Sequence, residues 1–270
     1  MTTEQTLTLQ TERMQAHIED GIGWMTFNNP ARHNALSLEM WEGIGDILEH
    51  FATNDSVRVV IMRGAGGKAF VSGADISEFD KERANAEQRA SYGVTAGRAT
   101  QWLSTIEKPL IGLIEGYCIG GGLATALAAD VRFATPDSRF GIPAAKLGLG
   151  YEYEGLSKLA RLVGSSRARD IMFSGRFMPA SEAQEMGLIN FIEERAEIEA
   201  ACIDYATTIA GNAPLTVKAA KAAINAWERG SRKDEVEQVR AMVDACFDSE
   251  DYREGRKAFA AKRKPEFKNR

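Results

Sequence analysis

An α/β fold is predicted by three features of the chain. Short apolar runs recur up to about residue 200, each is followed by a turn or second short run and then by a segment with helical spacing, and beyond Glu199 the pattern is wholly helical. Periodicity alone goes no further than that class.

Taken in order, residues 1 to about 12 are polar and expected to fray, and 17–27 read as a hairpin around a Gly-containing turn. Asn28-Asn29-Pro30 ends the strand. Over 37–50, Leu38, Trp41, Ile44, Ile47 and Leu48 recur at helical spacing, with Ser37 as the cap. A strand at 57–62 precedes a helix at 84–106, whose polar first half is a candidate flap. The apolar strand 108–116 leads through a glycine turn into an alanine-rich helix reaching Asp130. Short strands follow at 131–135 and 139–142. Helices at 200–211, 215–229, 234–247 and 249–262 are separated by polar and Gly/Pro breaks, so the chain divides into a core, 1–199, and a helical region, 200–270.

Composition removes several classes. A net charge of −5 argues against a general nucleic-acid binder, and the only markedly basic stretch is 253–270. Cys118, Cys202 and Cys246 are widely spaced, without paired metal-ligand spacing, and read as buried reduced thiols. His17, His33 and His50 are scattered away from any serine or acid motif, against a hydrolytic triad. No run is long enough to span a bilayer and the N-terminus lacks a signal pattern, so a cytoplasmic protein is expected, with no membrane partner.

Three segments carry chemistry. Tyr117-Cys118-Ile119-Gly120-Gly121-Gly122-Leu123-Ala124 closes a strand with three glycines and opens a helix, leaving bare N–H groups that a ligand can approach. Lys68-Ala69-Phe70-Val71-Ser72-Gly73-Ala74-Asp75-Ile76-Ser77-Glu78-Phe79 ends another strand in a small-residue loop, and Asn28-Asn29-Pro30-Ala31-Arg32-His33-Asn34-Ala35-Leu36-Ser37 lies upstream. The bland reading of the glycines is a tight turn with close packing. Together, in this order and spacing, the three segments resemble the crotonase superfamily, also called the enoyl-CoA hydratase/isomerase family, and the resemblance covers nearly the whole chain.

That resemblance implies a crotonase-type spiral of ββα units and a C-terminal all-helical region that mediates trimer formation, often with trimers stacked to hexamers. It implies an acyl-CoA thioester as substrate, coenzyme A arriving as part of it, with no separate cofactor and no metal. The thioester oxygen would be held by the N–H groups of Ala74 and Gly121 as negative charge develops. Ala35, Ala74, Asp75 and Ile76 would frame the CoA moiety, and Arg32 would either meet a phosphate or stand as a solvated surface charge. Gly120, Ala124, Ala144 and Tyr151 would line the acyl pocket. Phe259 and Lys262 match the tail that helps close a CoA site, commonly a neighbouring subunit's, or are ordinary helix packing and a solvated lysine.

Hydratases of the family carry two glutamates that hold water and exchange protons with the acyl chain. Here those positions are Ala124 and Ala144, and alanine can neither activate water nor give a proton. The run Leu147-Gly148-Leu149-Gly150-Tyr151-Glu152-Tyr153-Glu154 is similar to the methylmalonyl-CoA decarboxylase branch, in which a tyrosine stands where Tyr151 does. That branch has a histidine at the position of Ala74, which this chain lacks. Tyr151 either acts on a carboxylate or enolate or is an aromatic lid, and Glu152 and Glu154 either face the pocket or are helix-start acids. The expected order of chemistry is a lyase reaction such as decarboxylation, then isomerisation, then hydration. A weakly catalytic CoA-binding or RNA-binding protein is the rival, although Lys218, Lys221, Arg229 and Lys233 are sparse for a nucleic-acid face.

Overall fold

The chain opens with an antiparallel meander of β1 (Gln5–Thr6), β2 (Met14–Glu19) and β3 (Ile22–Phe27) in a computed structural model that describes residues 5–75 and 86–270, side chains of 86–92 excepted. Asp20 and Gly21, both at positive φ, make the hairpin turn the sequence predicts. β2 alternates buried and open positions, whereas all six residues of β3 are buried because both its faces are covered. α1 (Leu38–Thr53) follows and packs its apolar stripe, Met40, Ile44, Ile47, Leu48 and Phe51, into the interior.

Three repeats come next. β4 (Val59–Gly64), β5 (Ala69–Val71) and α2 (Ala86–Thr105) form the first; β6 (Leu110–Ile114), β7 (Tyr117–Ile119) and α3 (Gly121–Ala126) the second; β8 (Val131–Ala134), β9 (Arg139–Gly141) and α4 (Tyr153–Val163) the third. After α5 (Ser165–Ser174), β10 (Met178–Pro179) and α6 (Ala180–Glu185) lead to β11 (Phe191–Ile192). In every repeat the first strand joins a seven-stranded sheet, ordered β1-β2-β3-β4-β6-β8-β11, and the second joins a four-stranded sheet, β10-β9-β7-β5. Neighbours contributed by successive repeats run parallel, which requires the chain to cross back through the intervening segment. This is the expected ββα spiral, and it stacks the second-strand ends, where β5 and β7 finish, beside one another.

The main core fills the space among the sheets, α1, α2 and the later helices. A second cluster lies on the other face of the large sheet, where Trp24, Ile61, Ile111, Leu113 and Phe133 meet Ile198, Cys202 and Ala206 of α7 (Ile198–Ala210). α8 (Pro214–Glu228), α9 (Lys233–Asp248) and α10 (Glu250–Ala260) complete the helical region. Asp251, 2% exposed, clips the chain end to α10 by accepting the N–H groups of Lys268 and Asn269 at 2.6 and 2.9 Å.

Four details depart from expectation, the first being that residues 5–12, expected to fray, contribute β1 and pack Leu7 and Leu9 against the core. Ser37 holds the cap position of α1, but its hydroxyl is buried without a hydrogen-bond partner among the described residues, so it packs rather than caps. The alanine-rich helix is regular only to Ala126 and reaches Asp130 as a turn. Cys246 is partly exposed because α9 buries none of its residues, whereas Cys118 and Cys202 are buried. The start of the candidate flap and Ile76 fall outside the described residues.

Candidate active site

α3 begins where β7 ends, with its first turn against the loop that follows β5. The three glycines there answer to different demands. Gly120 takes φ 56° and ψ −118°, a conformation that side chains resist, and a Cβ on Gly122 would stand 2.0 Å from the Val71 carbonyl oxygen. Gly121 has no such constraint. A Cβ there would make only ordinary contacts, 3.7 Å from the Ala74 nitrogen and 4.0 Å from Leu36 Cδ1. The start of α3 thus lies alongside the Ala74 nitrogen. Neither the Gly121 N–H nor the Ala74 N–H is taken by an acceptor among the described residues.

Ala74 is presented by a parallel bridge to Leu36, in which Leu36 N–H donates to the Gly73 carbonyl at 2.8 Å and Asp75 N–H donates to the Leu36 carbonyl at 2.9 Å. Because successive N–H groups of an extended chain alternate in direction, this pairing turns the Ala74 N–H away from Leu36 and toward the glycine turn. Two residues before Leu36, Asn34 is fully buried at φ 55° and ties this loop to the start of β5. Asn34 Nδ2 donates to the Ala69 and Ala65 carbonyls at 2.7 and 3.0 Å, and its Oδ1 accepts from Asn29 N–H at 2.8 Å. Sequence reasoning assigns Asn34 no role; the available signal was an amide residue beside Ala35 and Leu36 in an otherwise loop-like stretch.

Ala35 lies half-buried between these supports. Arg32 at the rim is 57% exposed and reaches Asp75, 7% exposed, at 3.4 Å. The guanidinium therefore ties the Arg32 loop to the Ala74 loop, a connection neither sequence reading foresaw.

Along α3 and its two ends, Gly120, Gly121, Ala124 and Ala128 are partly open while Leu123 and residues 125–127 are buried, so one face of α3 looks outward and carries nothing larger than a methyl group. Ala144 is 4% exposed on the 3-10 turn Pro143–Leu147. The Tyr151 hydroxyl lies 3.8 Å from where a Gly120 Cβ would stand, which places it at the turn. Glu152 occupies the cap position of α4, exposed and without a capping hydrogen bond, and Glu154 lies exposed in its first turn. Leu147, Leu149 and Tyr153 form an exposed apolar rim beyond. Phe259 is 89% exposed on α10 and Lys262 follows its end at φ 53°. Ala74, Gly120, Gly121 and Tyr151 are thus brought together, and Glu152, Phe259 and Lys262 face solvent in the single chain.

Other reactive groups are occupied elsewhere. Burial pushes the Cys118 thiol far above its ordinary pKa. His17 stacks on Trp24 with ring centroids 5.8 Å apart. Lys218, Lys221, Arg229 and Lys233 each meet a carboxylate, of Glu107, Asp130, Glu235 and Glu237 respectively.

The family model for enoyl-CoA hydratase/isomerase matches residues 17–270. The chain is 36% identical, over 93% of its length and 96% of the relative's, to a short-chain-enoyl-CoA hydratase of Clostridium acetobutylicum. It is 30% identical to a crotonyl-CoA hydratase of Syntrophomonas wolfei, over 92% and 95% of the two chains. The crystal structure of an enoyl-CoA hydratase/carnithine racemase from Magnetospirillum magneticum superposes with a TM-score of 0.90 at 38% identity, covering 97% of each chain. With both its fold and nearly its whole length accounted for, the chain belongs to the enoyl-CoA hydratase/isomerase family, the crotonase superfamily.

Proposed function

We propose that this acyl-CoA enzyme stabilises a thioester enolate between the N–H groups of Ala74 and Gly121 and uses that electron sink for a lyase reaction, decarboxylation of a malonyl-type thioester. The single observation that carries the reading is the pair of unclaimed N–H groups on adjacent backbone, at Ala74 and at the first residue of α3, with alanines at 124 on α3 and 144 on the 3-10 turn where the family's carboxylates would stand. Decarboxylation breaks the bond between Cα and the carboxylate, and the electron pair moves into the thioester carbonyl as carbon dioxide leaves. Proton return to Cα then completes the reaction, from Tyr151 or from water. No bound water is needed for the bond-breaking step, so alanines at 124 and 144 do not hinder it. Each preorganised donor supplies about 3 to 4 kcal/mol to a developing oxyanion. Arg32 at the rim supports a CoA phosphate contact in exchange with Asp75, and Asp75 with Ala35 frames the thioester entry.

Hydration or isomerisation is the second reading, favoured by the relatives' names. Methylmalonyl-CoA and ethylmalonyl-CoA, incubated with the enzyme, separate the two. Carbon dioxide released above the uncatalysed rate supports the lyase reading, and none from either thioester moves hydration and isomerisation ahead.

The helical region supports assembly into trimers or hexamers. α9 buries none of its residues, and Ile224, Trp227, Phe247 and Phe259 are each more than half exposed, a surface that a lone chain leaves in water at a cost. The pairing of the four cations above with carboxylates argues against an RNA face. Sedimentation at micromolar concentration is expected to give a trimer or its dimer, and a monomer would contradict it.

A further inference from the structure

Arg132, on β8, is 3% exposed, and no carboxylate reaches its guanidinium among the described residues. Its partners are main-chain carbonyls. Nε donates to the Leu188 carbonyl at 2.7 Å, and Nη1 donates to the Ala129 carbonyl and, at 3.4 Å, to that of Ala126. Ala126 ends α3, Ala129 lies in the turn that follows, and Leu188 precedes β11. The Arg132 backbone is fixed as well, its N–H donating to Asn190 Oδ1 at 2.9 Å and its carbonyl accepting from Asn190 N–H at 3.0 Å.

Desolvating a cation is costly, and an apolar side chain of similar length would fill the same space more cheaply. The guanidinium adds a rigid fork whose donors grip two segments at once. Burial lowers its pKa only to about 10, so the fork stays protonated at neutral pH. α3 needs such a grip. Its six residues span roughly 9 Å, too short to hold a helix by itself. Gly122 against Val71 fixes its first turn and Leu123 and Ala126 pack into the core, and to these non-directional contacts the Arg132 fork adds directed polar ones at the far end.

We propose that Arg132 is a positioning residue for the thioester oxygen, clamping the C-terminal end of α3 and thereby aiming the Gly121 N–H at the space it shares with the Ala74 N–H. This rests on the reading of Gly121 as an oxyanion donor. The clamp acts at a distance, through the helix, and touches no part of the substrate.

The test uses butyryl-CoA labelled with ¹³C at the thioester carbonyl, bound to the full-length protein, and reads the isotope-edited C=O stretch together with the affinity. Wild type is expected to shift the stretch to lower frequency, and Gly121→Pro to lose most of that shift. Arg132→Met, which fills the space, and Arg132→Lys, which keeps the charge without the fork, should both lose most of it while affinity changes by less than about threefold. In the Gly121→Pro background neither should cause further loss, because coupled residues are non-additive. Should Arg132→Met fail to fold, Arg132→Lys carries the test. Arg132 variants that keep the full shift while Gly121→Pro loses it, or losses that simply add, overturn the clamp and leave the oxyanion reading standing. A wild-type complex with no shift, or a Gly121→Pro protein with an unchanged one, overturns both.

Discussion

The thioester end of the site and its acyl end are made of different material. At the proposed thioester end the candidate donors are main-chain N–H groups, on backbone fixed by the Leu36–Ala74 bridge, the buried Asn34 amide and the close approach of Gly122 to Val71. At the proposed acyl end the open face of α3 carries nothing larger than the Ala124 methyl, with the Tyr151 hydroxyl near the turn that starts the helix. The difference separates two tasks. On the proposed reading, polarising a thioester is bound up with the fold, since the same residues that make the turn would present the donors. Moving protons depends on side chains, which can change without disturbing the scaffold. A family member can therefore keep the electron sink while exchanging the reaction that feeds it.

The largest effect expected from this division is on hydration. Crotonyl-CoA should be hydrated more slowly than by a two-glutamate hydratase by about 10² to 10⁴, the usual worth of positioned acid–base groups. Ala124→Glu with Ala144→Glu should raise the rate more than either change alone. Turnover matching an efficient hydratase would erase the contrast between the two ends.

Tyr151→Phe sharpens it, since only the hydroxyl next to the glycine turn is removed. If Tyr151 returns the proton, kcat on a malonyl-type thioester falls by about 10², at the low end for a general acid. An unchanged kcat with a changed KM would make Tyr151 an aromatic lid. Within the turn, Gly122→Ala should cost about 1 to 3 kcal/mol in a denaturant titration, because its Cβ meets a carbonyl that cannot retreat. Gly121→Ala should leave the midpoint nearly unmoved and lower turnover instead. Equal stability losses at the two positions would mean that both glycines serve packing alone.

The smallest effect lies outside the site. Lys108 Nζ donates to the Phe51 and Asn54 carbonyls at 2.6 Å, and burial lowers its pKa to about 8. Between about pH 8 and its ordinary value the unfolded chain holds the extra proton, so this group makes stability rise with pH across that window. Lys108→Met should flatten the rise relative to wild type in urea titrations at pH 7.5 to 10. An identical slope in both proteins would count against the shift.

Much of this was legible beforehand, for reasons that differ along the chain. The hairpin, the first-strand and second-strand rhythm and the four terminal helices follow from apolar spacing and Gly/Pro breaks, which are local. The Ala74–Gly121 meeting is not local, and it was reachable only through the resemblance carried by three ordered motifs. Asn34, Arg132 and the Arg32–Asp75 tie escaped because their partners are main-chain atoms or residues tens of positions away, for which a polar residue in an apolar run is an ambiguous sign. Ser37 is a residue type suited to a cap and stands at the cap position of α1, yet its hydroxyl is buried and packs.

Gly121→Pro removes the Gly121 N–H at the first residue of a helix, where the backbone commonly accepts proline. Turnover of the thioester substrate, circular dichroism and CoA titration should be measured on the same preparation. A fall in kcat of about 10² to 10³, roughly 3 to 4 kcal/mol, with fold and CoA affinity little changed, is the predicted result. A folded, CoA-binding Gly121→Pro protein that turns over substrate at the wild-type rate would contradict it and leave the three glycines as a packing turn.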